Sequence, residues 1–585
     1  MKKYLNIIFS TILLLIAASC TDDHFDVDPA VSSERTVWEN IRNRQDLSQF
    51  ADLLQRVYVT KSEGTVETAQ TYADLFNHDQ VFTVWAPKND SFNYEYYNKL
   101  LGYNNVDSTY KVEKELIQNQ MSRFRFVLNG EAVDTVELFN SKVAEFNKKA
   151  KTFGSQKIDE YNLGCNNGLI HITAGRVDYT YNMYEFLGTL PQIDSVYQFF
   201  KSFEKVEFDE YNSTKGPTIN GQVTWVDSVT YVSNQIFYSV GAYLNNEDSL
   251  YAMIIPTNTA WEDALKRTKS YYNFRTKYTQ EIHTQTEAGV DTTYTEETTY
   301  TTEEVDSLNN LYSKSAITNN LVFNARYQYR PWDIENPINC DSLRSTHGTI
   351  FRQPYLTNLF GNYSLYNVSN GYVYVTDNFG YRACDTWASD INIPAYLSFN
   401  IDQKKNCNLT SSTQQFYRND STINFTVAQF TEDGANYPEV TFKLNNVLSC
   451  KYDIFLVMAY NTSAMKSTKF TATLTYYKNA KDSKQKDQKL TPLADDTLHN
   501  YQMKNKDFVN VSYLDTVTIS NVEYIVPVHN DTIQLARDFE FPVCYYGLQN
   551  AFPLLNIKTD INSTEKKDYT REMWIQEIIL VAKEN

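Results

Sequence analysis

Val81-Phe82-Thr83-Val84-Trp85-Ala86-Pro87-Lys88-Asn89-Asp90-Ser91-Phe92 returns later in the chain, altered in residues but not in pattern, as Leu250-Tyr251-Ala252-Met253-Ile254-Ile255-Pro256-Thr257-Asn258-Thr259-Ala260-Trp261. In each segment an apolar run ends on a proline (Pro87, Pro256). An asparagine follows two places on (Asn89, Asn258) and an aromatic residue five places on (Phe92, Trp261). Proline lacks the N–H that a ladder requires, so it stops a strand. Asparagine accepts from the free amides of a first helical turn, so Asn89 and Asn258 are expected to start helices, which the aromatic residue then pins to the sheet. A second pair lies downstream: Asn167-Gly168-Leu169-Ile170-His171-Ile172-Thr173 and Asn370-Gly371-Tyr372-Val373-Tyr374-Val375-Thr376. An Asn-Gly turn feeding a β-branched and aromatic run is a strand entry. The motifs alternate along the chain, first, second, first, second, which points to two copies of one folding unit.

The first motif resembles the "TVFAPTNEAF" segment, and the second the "NGVIHVID" segment, of the fasciclin (FAS1) domain. On that resemblance, residues 37–179 form one FAS1-like α+β domain and residues 180–380 a second, opened by the amphipathic stretch Asn182 to Pro191. The family's "YH" pair, implicated in adhesion in some animal members, would fall near Arg125-Phe126 and Val322-Phe323. Neither place carries histidine, so an integrin-type contact is not carried over. The motif residues read as core and turn positions. His171 is matched by Tyr374 in the repeat, which argues for packing rather than catalysis or metal binding. Pro87 to Asn167 spans 80 positions and Pro256 to Asn370 spans 114, so the second copy holds an insertion. Part of it lies near 278–304, rich in Thr and Glu, and reads equally as a projecting hairpin turning at Gly289 or as an acidic loop without fixed structure.

From 385 to 585 the chain reads as short strands between polar loops: 422–427, 439–444, 452–459, 469–476, 516–528 and 575–582. An all-β sandwich of jelly-roll type is expected. Its segments around Leu448 to Phe455 and Trp574 to Val581 resemble strands of galactose-binding-like sandwiches, the architecture of many carbohydrate-binding modules. Lys478 to Lys489 reads as a solvated loop. The fold class is thus multidomain, two tandem α+β units followed by an all-β sandwich.

At the amino end, Lys2 and Lys3, an apolar run and Ala17-Ala18-Ser19 precede Cys20. This resembles a bacterial lipoprotein signal over residues 1–19, which implies lipidation of Cys20 and attachment through the acyl chains. The acidic stretch behind it, within a tether of residues 20–36, resembles the export signal of Bacteroidetes lipoproteins. An outer-membrane location facing the cell exterior is the expectation. Net charge is −18, and no basic stripe of the kind a polyanionic nucleic acid requires is present. Cys165, Cys340, Cys384, Cys407, Cys450 and Cys544 show no CxxC spacing, so zinc and thioredoxin-like readings are poor. Burial as free thiols and disulfide pairing both stay open.

The histidines are scattered, and no H-E-x-x-H, G-x-S-x-G or glycine-rich phosphate loop occurs. No catalytic residue, metal or cofactor is assigned. The expectation is a binding protein without turnover that captures extracellular glycan or assembles with an outer-membrane nutrient importer. The alternatives are an adhesin for host or matrix protein and a glycan-degrading enzyme with its carboxylates in the sandwich.

Overall fold

The computed structural model describes residues 33–584 except 62–65, 220, 286–290, 329, 419–420, 435, 491–507, 511–512 and 520–521. Cys20, most of the tether and Gly289 lie outside the described residues.

Residues 37–179 are built on a sheet whose strands run in the order Met121–Arg123, Phe82–Pro87, Gly168–Thr173, Gln156–Cys165, Thr152–Phe153, Val143–Asn147, Val133–Glu137. The two motif strands, Phe82–Pro87 and Gly168–Thr173, are its parallel centre and are buried throughout, as continuous apolar runs should be when both faces are covered. On one face Phe82, Val84, Ala86, Ile170 and Ile172 pack beneath the helices Val37–Arg42 and Ser48–Arg56. On the other, Trp85 lies among Phe126, Phe146 and Phe153, stacked on Phe153 at 3.8 Å.

The second motif closes each copy with a buried asparagine. Asn167 accepts from Val37 N at 2.8 Å and donates to the carbonyls of Phe76 (2.8 Å) and His78 (2.5 Å). Asn370 accepts from Met183 N at 2.8 Å and donates to the carbonyls of Leu244 (2.8 Å) and Asn246 (3.0 Å). Val37 and Met183 are the first residues of the opening helices Val37–Arg42 and Met183–Leu187, so their amides have no intrahelical partner. One side chain therefore ties a helix start and a loop to the head of the central strand. The following glycine must be small: a Cβ at Gly168 would lie 2.3 Å from Phe82 O, and one at Gly371 1.8 Å from Tyr251 O.

Asn89 and Asn258 correct the sequence expectation. Asn89 starts no helix of its own; the next one, Tyr94–Leu101, is capped by Asn93. Instead Asn89 reaches across to helix Ser48–Arg56, which lacks a cap of its own, accepting from Gln49 N at 2.9 Å and donating to Gln45 O and Ser48 Oγ. Asn258 is the first residue of helix Asn258–Lys269, and the cap is Thr257, which accepts from Ala260 N. Proline stops the strand as expected, but the turn geometry decides which polar residue reaches the free amides.

A buried ion network links the two copies within this part of the chain. Lys142, 3 % exposed, sits 3.2 Å from Glu185, 2.7 Å from Glu247 and 3.1 Å from Ser369 Oγ, over the ring of Tyr179. Lys114 also meets Glu185 at 2.6 Å, and Tyr179 donates to it at 2.7 Å. Buried charge costs several kcal/mol unless paired, so this network holds Lys142, Glu185, Glu247 and Ser369 to one another.

In the second copy the sheet order is Val322–Asn324, Tyr251–Pro256, Gly371–Thr376, Tyr363–Val368, the order seen at the centre of the first. The insertion is a hairpin, Lys277–Gln285 with Asp291–Thr299, followed by a helix, Thr302–Thr318, that the sequence reading missed. The hairpin does not simply project. At its base Tyr278 donates to Cys544 O at 2.7 Å, and Tyr477 donates to Thr279 O and accepts from Thr279 N. Tyr545 packs against both rings and accepts from Tyr477 N. Tyr312 of the helix stacks on Tyr272 and meets Tyr546 edge-on. The insertion thus shares one core with the residues that follow 385.

Those residues form an antiparallel β-sandwich. One sheet runs Cys407–Arg418, Ser421–Glu432, Met573–Ala582, Lys451–Met458, Asp531–Glu540, with Ile391–Pro394 also on Met573–Ala582. The other runs Ile401–Lys405, Glu439–Lys443, Leu554–Thr559, Thr468–Tyr476, Lys486–Lys489, with Phe508–Asn510 also on Thr468–Tyr476. Strict alternation of burial along Thr468–Tyr476 shows one face in the core and one outside. The sequence reading of Lys478 to Lys489 as loop needs correction at its end, since Lys486–Lys489 pairs with Thr473 to Tyr476 as an edge strand. Lysines on an edge strand hinder further pairing, which is why the segment reads as solvated.

Asn167→Ala removes the acceptor of Val37 N and the donor to His78 O, and Asn370→Ala the acceptor of Met183 N, while the carbonyls of Phe76, Leu244 and Asn246 keep the amides of Trp38, Tyr184 and Ser249; an unpaired buried group costs about 1–3 kcal/mol. Each variant is expected to lower stability by roughly 2 kcal/mol, measured by urea denaturation.

Candidate functional site

Among the residues singled out from sequence, Pro87, Phe92, Pro256 and Trp261 end strands or pack helices, and the Asn and Gly positions act as described above. His171 is fully buried between Trp85 and Phe146, and its Nε2 hydrogen bonds to Phe126 O at 2.8 Å. Asn162 N–H points at Nδ1. That pairing fits the neutral ring protonated on Nε2, since a carbonyl accepts and an amide donates. Burial pushes the imidazole down to about 4, outweighing the Phe126 carbonyl, which favours its charged form. Tyr374, its counterpart, is equally buried, accepting from Trp332 Nε1 and donating to Ile334 O. Both are packing residues with a satisfied polar end. Among the described residues the cysteines are free thiols, with Cys165, Cys407, Cys450 and Cys544 buried.

The outer face of the first sandwich sheet carries a polar ladder that no sequence motif marked. Strand pairing places side chains of facing residues on the same side. Gln429 lies opposite both Thr410 and Trp574, Ser412 opposite Val427, and Gln414 opposite Phe425. Trp574, with Val427 and Ala459, makes an apolar floor that half-buried Phe425 extends. Over it runs a polar ladder: Thr410 donates to Gln429 Oε1 (3.1 Å), while Gln429 and Gln414 each donate to Ser412 Oγ (2.9 and 2.8 Å). The indole Nε1 of Trp574 has no partner among the described residues. Beyond the floor Asn530 donates to Gln576, and Gln576 donates to Glu577 Oε1 at 2.9 Å. Burial raises the Glu577 carboxyl above its ordinary value. Trp574, Val427 and Ala459 are themselves buried and Phe425 half-buried, so this face presents the hydroxyls and amides of the ladder, held in place by one another.

No protein-family model and no curated protein matches the chain. Solved structures similar to parts of it include a FAS1 domain pair from the insect cell adhesion molecule fasciclin I, at 10% identity over 60% of this chain and 97% of that one, TM-score 0.20. The Clostridium thermocellum xylanase 10B, as its CBM22-1 and GH10 modules, is similar at 10% identity over 33% of this chain and 28% of that one, TM-score 0.18. A structure of carbohydrate-binding modules of the β-sandwich superfamily is similar at 7% identity over 65% and 96%, TM-score 0.14. The fold assignment rests on the chain's own repeated strands, clamps and sheet orders. The chain joins an N-terminal α+β region, in which one strand pattern occurs twice, to a C-terminal antiparallel β-sandwich.

The depressed His171 pKa gives a pH signature with a definite sign. The native state resists a proton that the unfolded chain accepts, so stability is full above the ordinary histidine value of 6.5 and is lost as pH falls toward about 4. The loss is on the order of 3 kcal/mol. Glu185 adds a separate loss only below its ordinary value of 4.5: burial would raise it, but Lys114 and Lys142 hold it at about 2. Urea denaturation at pH 7, 5.5 and 4.5 is expected to show the first loss in the wild type and a flat response in His171→Gln.

Proposed function

We propose that this chain is a cell-surface binding protein that captures extracellular glycan without turning it over, held to the outer membrane through lipid on Cys20 and facing outward. The observation that carries the glycan reading is the Thr410, Gln429, Ser412 and Gln414 ladder beside half-buried Phe425. Preset polar groups need no reordering when sugar hydroxyls replace water, which keeps the entropic cost of binding low. Delivery to a neighbouring outer-membrane importer fits this reading.

Protein adhesion is the second reading, and one feature favours it. The ribbon Glu204–Phe208 with Thr230–Asn234 exposes Val206 directly opposite Val232, with Phe208 and Tyr231 also exposed. Apolar residues grouped this way on a surface mark contact sites.

The test is titration of the full-length protein in detergent with xylan, mannan, starch and cellulose oligosaccharides, read by calorimetry. Binding to at least one is expected, weakened about tenfold in Ser412→Ala/Gln429→Ala, the equivalent of roughly 1.4 kcal/mol, with an unchanged melting temperature. An absence of binding to all four, or release of new reducing ends during incubation, overturns the capture reading.

A further inference from the structure

We propose that the outer edge of strand Glu204–Phe208 pairs antiparallel with the same strand of a second copy of this chain, joining two molecules about a two-fold axis beside Val206. The inference stands apart from glycan capture and gives the exposed ribbon one partner. The strand's inner edge is taken up by its ladder with Thr230–Asn234. Just beyond the strand's ends, Gln235 N donates to Phe203 O and Asp209 N donates to Val229 O. Hydrogen-bonded pairs alternate with non-bonded ones along an antiparallel ladder, so Lys205 and Glu207 turn their backbone groups inward. Glu204, Val206 and Phe208 turn theirs outward, and among the described residues no other strand meets that edge. Val206 is 70 % exposed and Phe208 46 %. The first copy supplies the contrast. Its hairpin, Tyr58–Lys61 with Val66–Thr71, lies between helices Ser48–Arg56 and Tyr72–Leu75, as the ribbon lies between Asp194–Lys201 and Ile236–Val240. There Glu113, a buried carboxylate, accepts from Thr60 N at 3.1 Å and from Thr60 Oγ1 at 2.7 Å. An edge left open, as in the second copy, is a template for another strand.

The sequence Glu204-Lys205-Val206-Glu207-Phe208 is self-complementary in one register. With Val206 opposite its counterpart, the outward N–H and C=O groups of Glu204, Val206 and Phe208 all find partners. Lys205 then faces the partner's Glu207, and Glu207 the partner's Lys205, in the non-bonded pairs where side chains come closest. Glu207 is already oriented, accepting from Tyr231 Oη at 2.7 Å and Ser233 Oγ at 2.8 Å, and a carboxylate has lone pairs to spare for a further donor. The outward groups allow shifts only by whole steps of the ladder. One step in either direction sets Glu207 opposite the partner's Glu207 or Lys205 opposite the partner's Lys205, and like charges directly opposite are destabilising. Charge therefore selects the centred register. That register also lays Val206 against the partner's Val206, covering two apolar side chains that each chain alone leaves in water. The contact is isologous, the form that most two-chain assemblies take. It uses one short strand from each chain, and two chains held by lipid to one membrane, as proposed above, meet at a raised effective concentration.

The test is disulfide trapping of the full-length protein in detergent, in a Cys384→Ser background that removes the exposed thiol. Under mild oxidation Val206→Cys is expected to form a covalent dimer. Val232→Cys, 49 % exposed on the opposite strand and far from the axis, is expected to stay monomeric. Added to Val206→Cys, Lys205→Glu should slow trapping roughly tenfold, and Lys205→Glu/Glu207→Lys should restore it, because the reversed charges again face their opposites. The substituted side chains lie outside the core, and the wild-type melting temperature is expected throughout. No covalent dimer from Val206→Cys, equal trapping of Val232→Cys, or a single charge reversal without effect overturns the inference, as does a double reversal that fails to restore trapping. The capture reading is judged on its own oligosaccharide titration and survives any of these results.

Discussion

A single buried carboxamide, used twice, is the constraint from which the amino-terminal architecture follows. Asn167 and Asn370 each meet one helix amide and two loop carbonyls, and each stands at the head of a central strand. Only a side chain with both acceptor and donors can satisfy that set, and only glycine can follow it, because the neighbouring strand's carbonyl occupies the space of a Cβ. The proline-ended strand, the opening helix and the Asn-Gly entry are therefore parts of one closure. Hydrogen bonds from the strand ends repeat as well: Phe82 N to Asn167 O and Tyr251 N to Asn370 O at one end, Lys88 N to Thr173 O and Thr257 N to Thr376 O at the other.

Two further devices build on that closure. Lys142 is drawn into a pocket of carboxylates, where its charge is tolerable only in the presence of Glu185 and Glu247. Elsewhere the abundance of tyrosine finds its use. Tyr278, Tyr477 and Tyr545 bury their rings in the sandwich core and spend each hydroxyl on a backbone group of another segment. Apolar body and polar tip together let a Thr- and Glu-rich hairpin, poor in aliphatic residues, acquire a fixed base.

The repeated motifs, the two α+β copies and the sandwich class were legible because they rest on continuous apolar runs and turn signals, which are local. Strands such as Thr468–Tyr476 announce themselves by alternation. Cys407–Arg418, a polar run of Asn, Thr, Ser and Gln, does not, since it earns its place by pairing with Ser421–Glu432. Helix Thr302–Thr318 was missed because its apolar residues are few and its packing partners, Tyr272 and Tyr546, lie far away in sequence. Asn89 misled for a similar reason: its spacing from Pro87 is local, but the helix it caps starts 41 residues earlier in the chain. The ladder over Trp574 was invisible altogether. Its strands Ser421–Glu432 and Met573–Ala582 lie well over a hundred residues apart, and no pattern along the chain records which of their side chains will meet.

Native-state hydrogen exchange at the backbone amides of Val37 and Met183 tests the clamp most directly. A first-turn amide without an acceptor exchanges through local fraying. If Asn167 and Asn370 hold these two helix starts, both amides exchange only through unfolding of their whole copy, as slowly as the central strands Phe82–Pro87 and Gly371–Thr376. Exchange of either amide on the fast scale of a frayed helix end, with the central strands still protected, would contradict it.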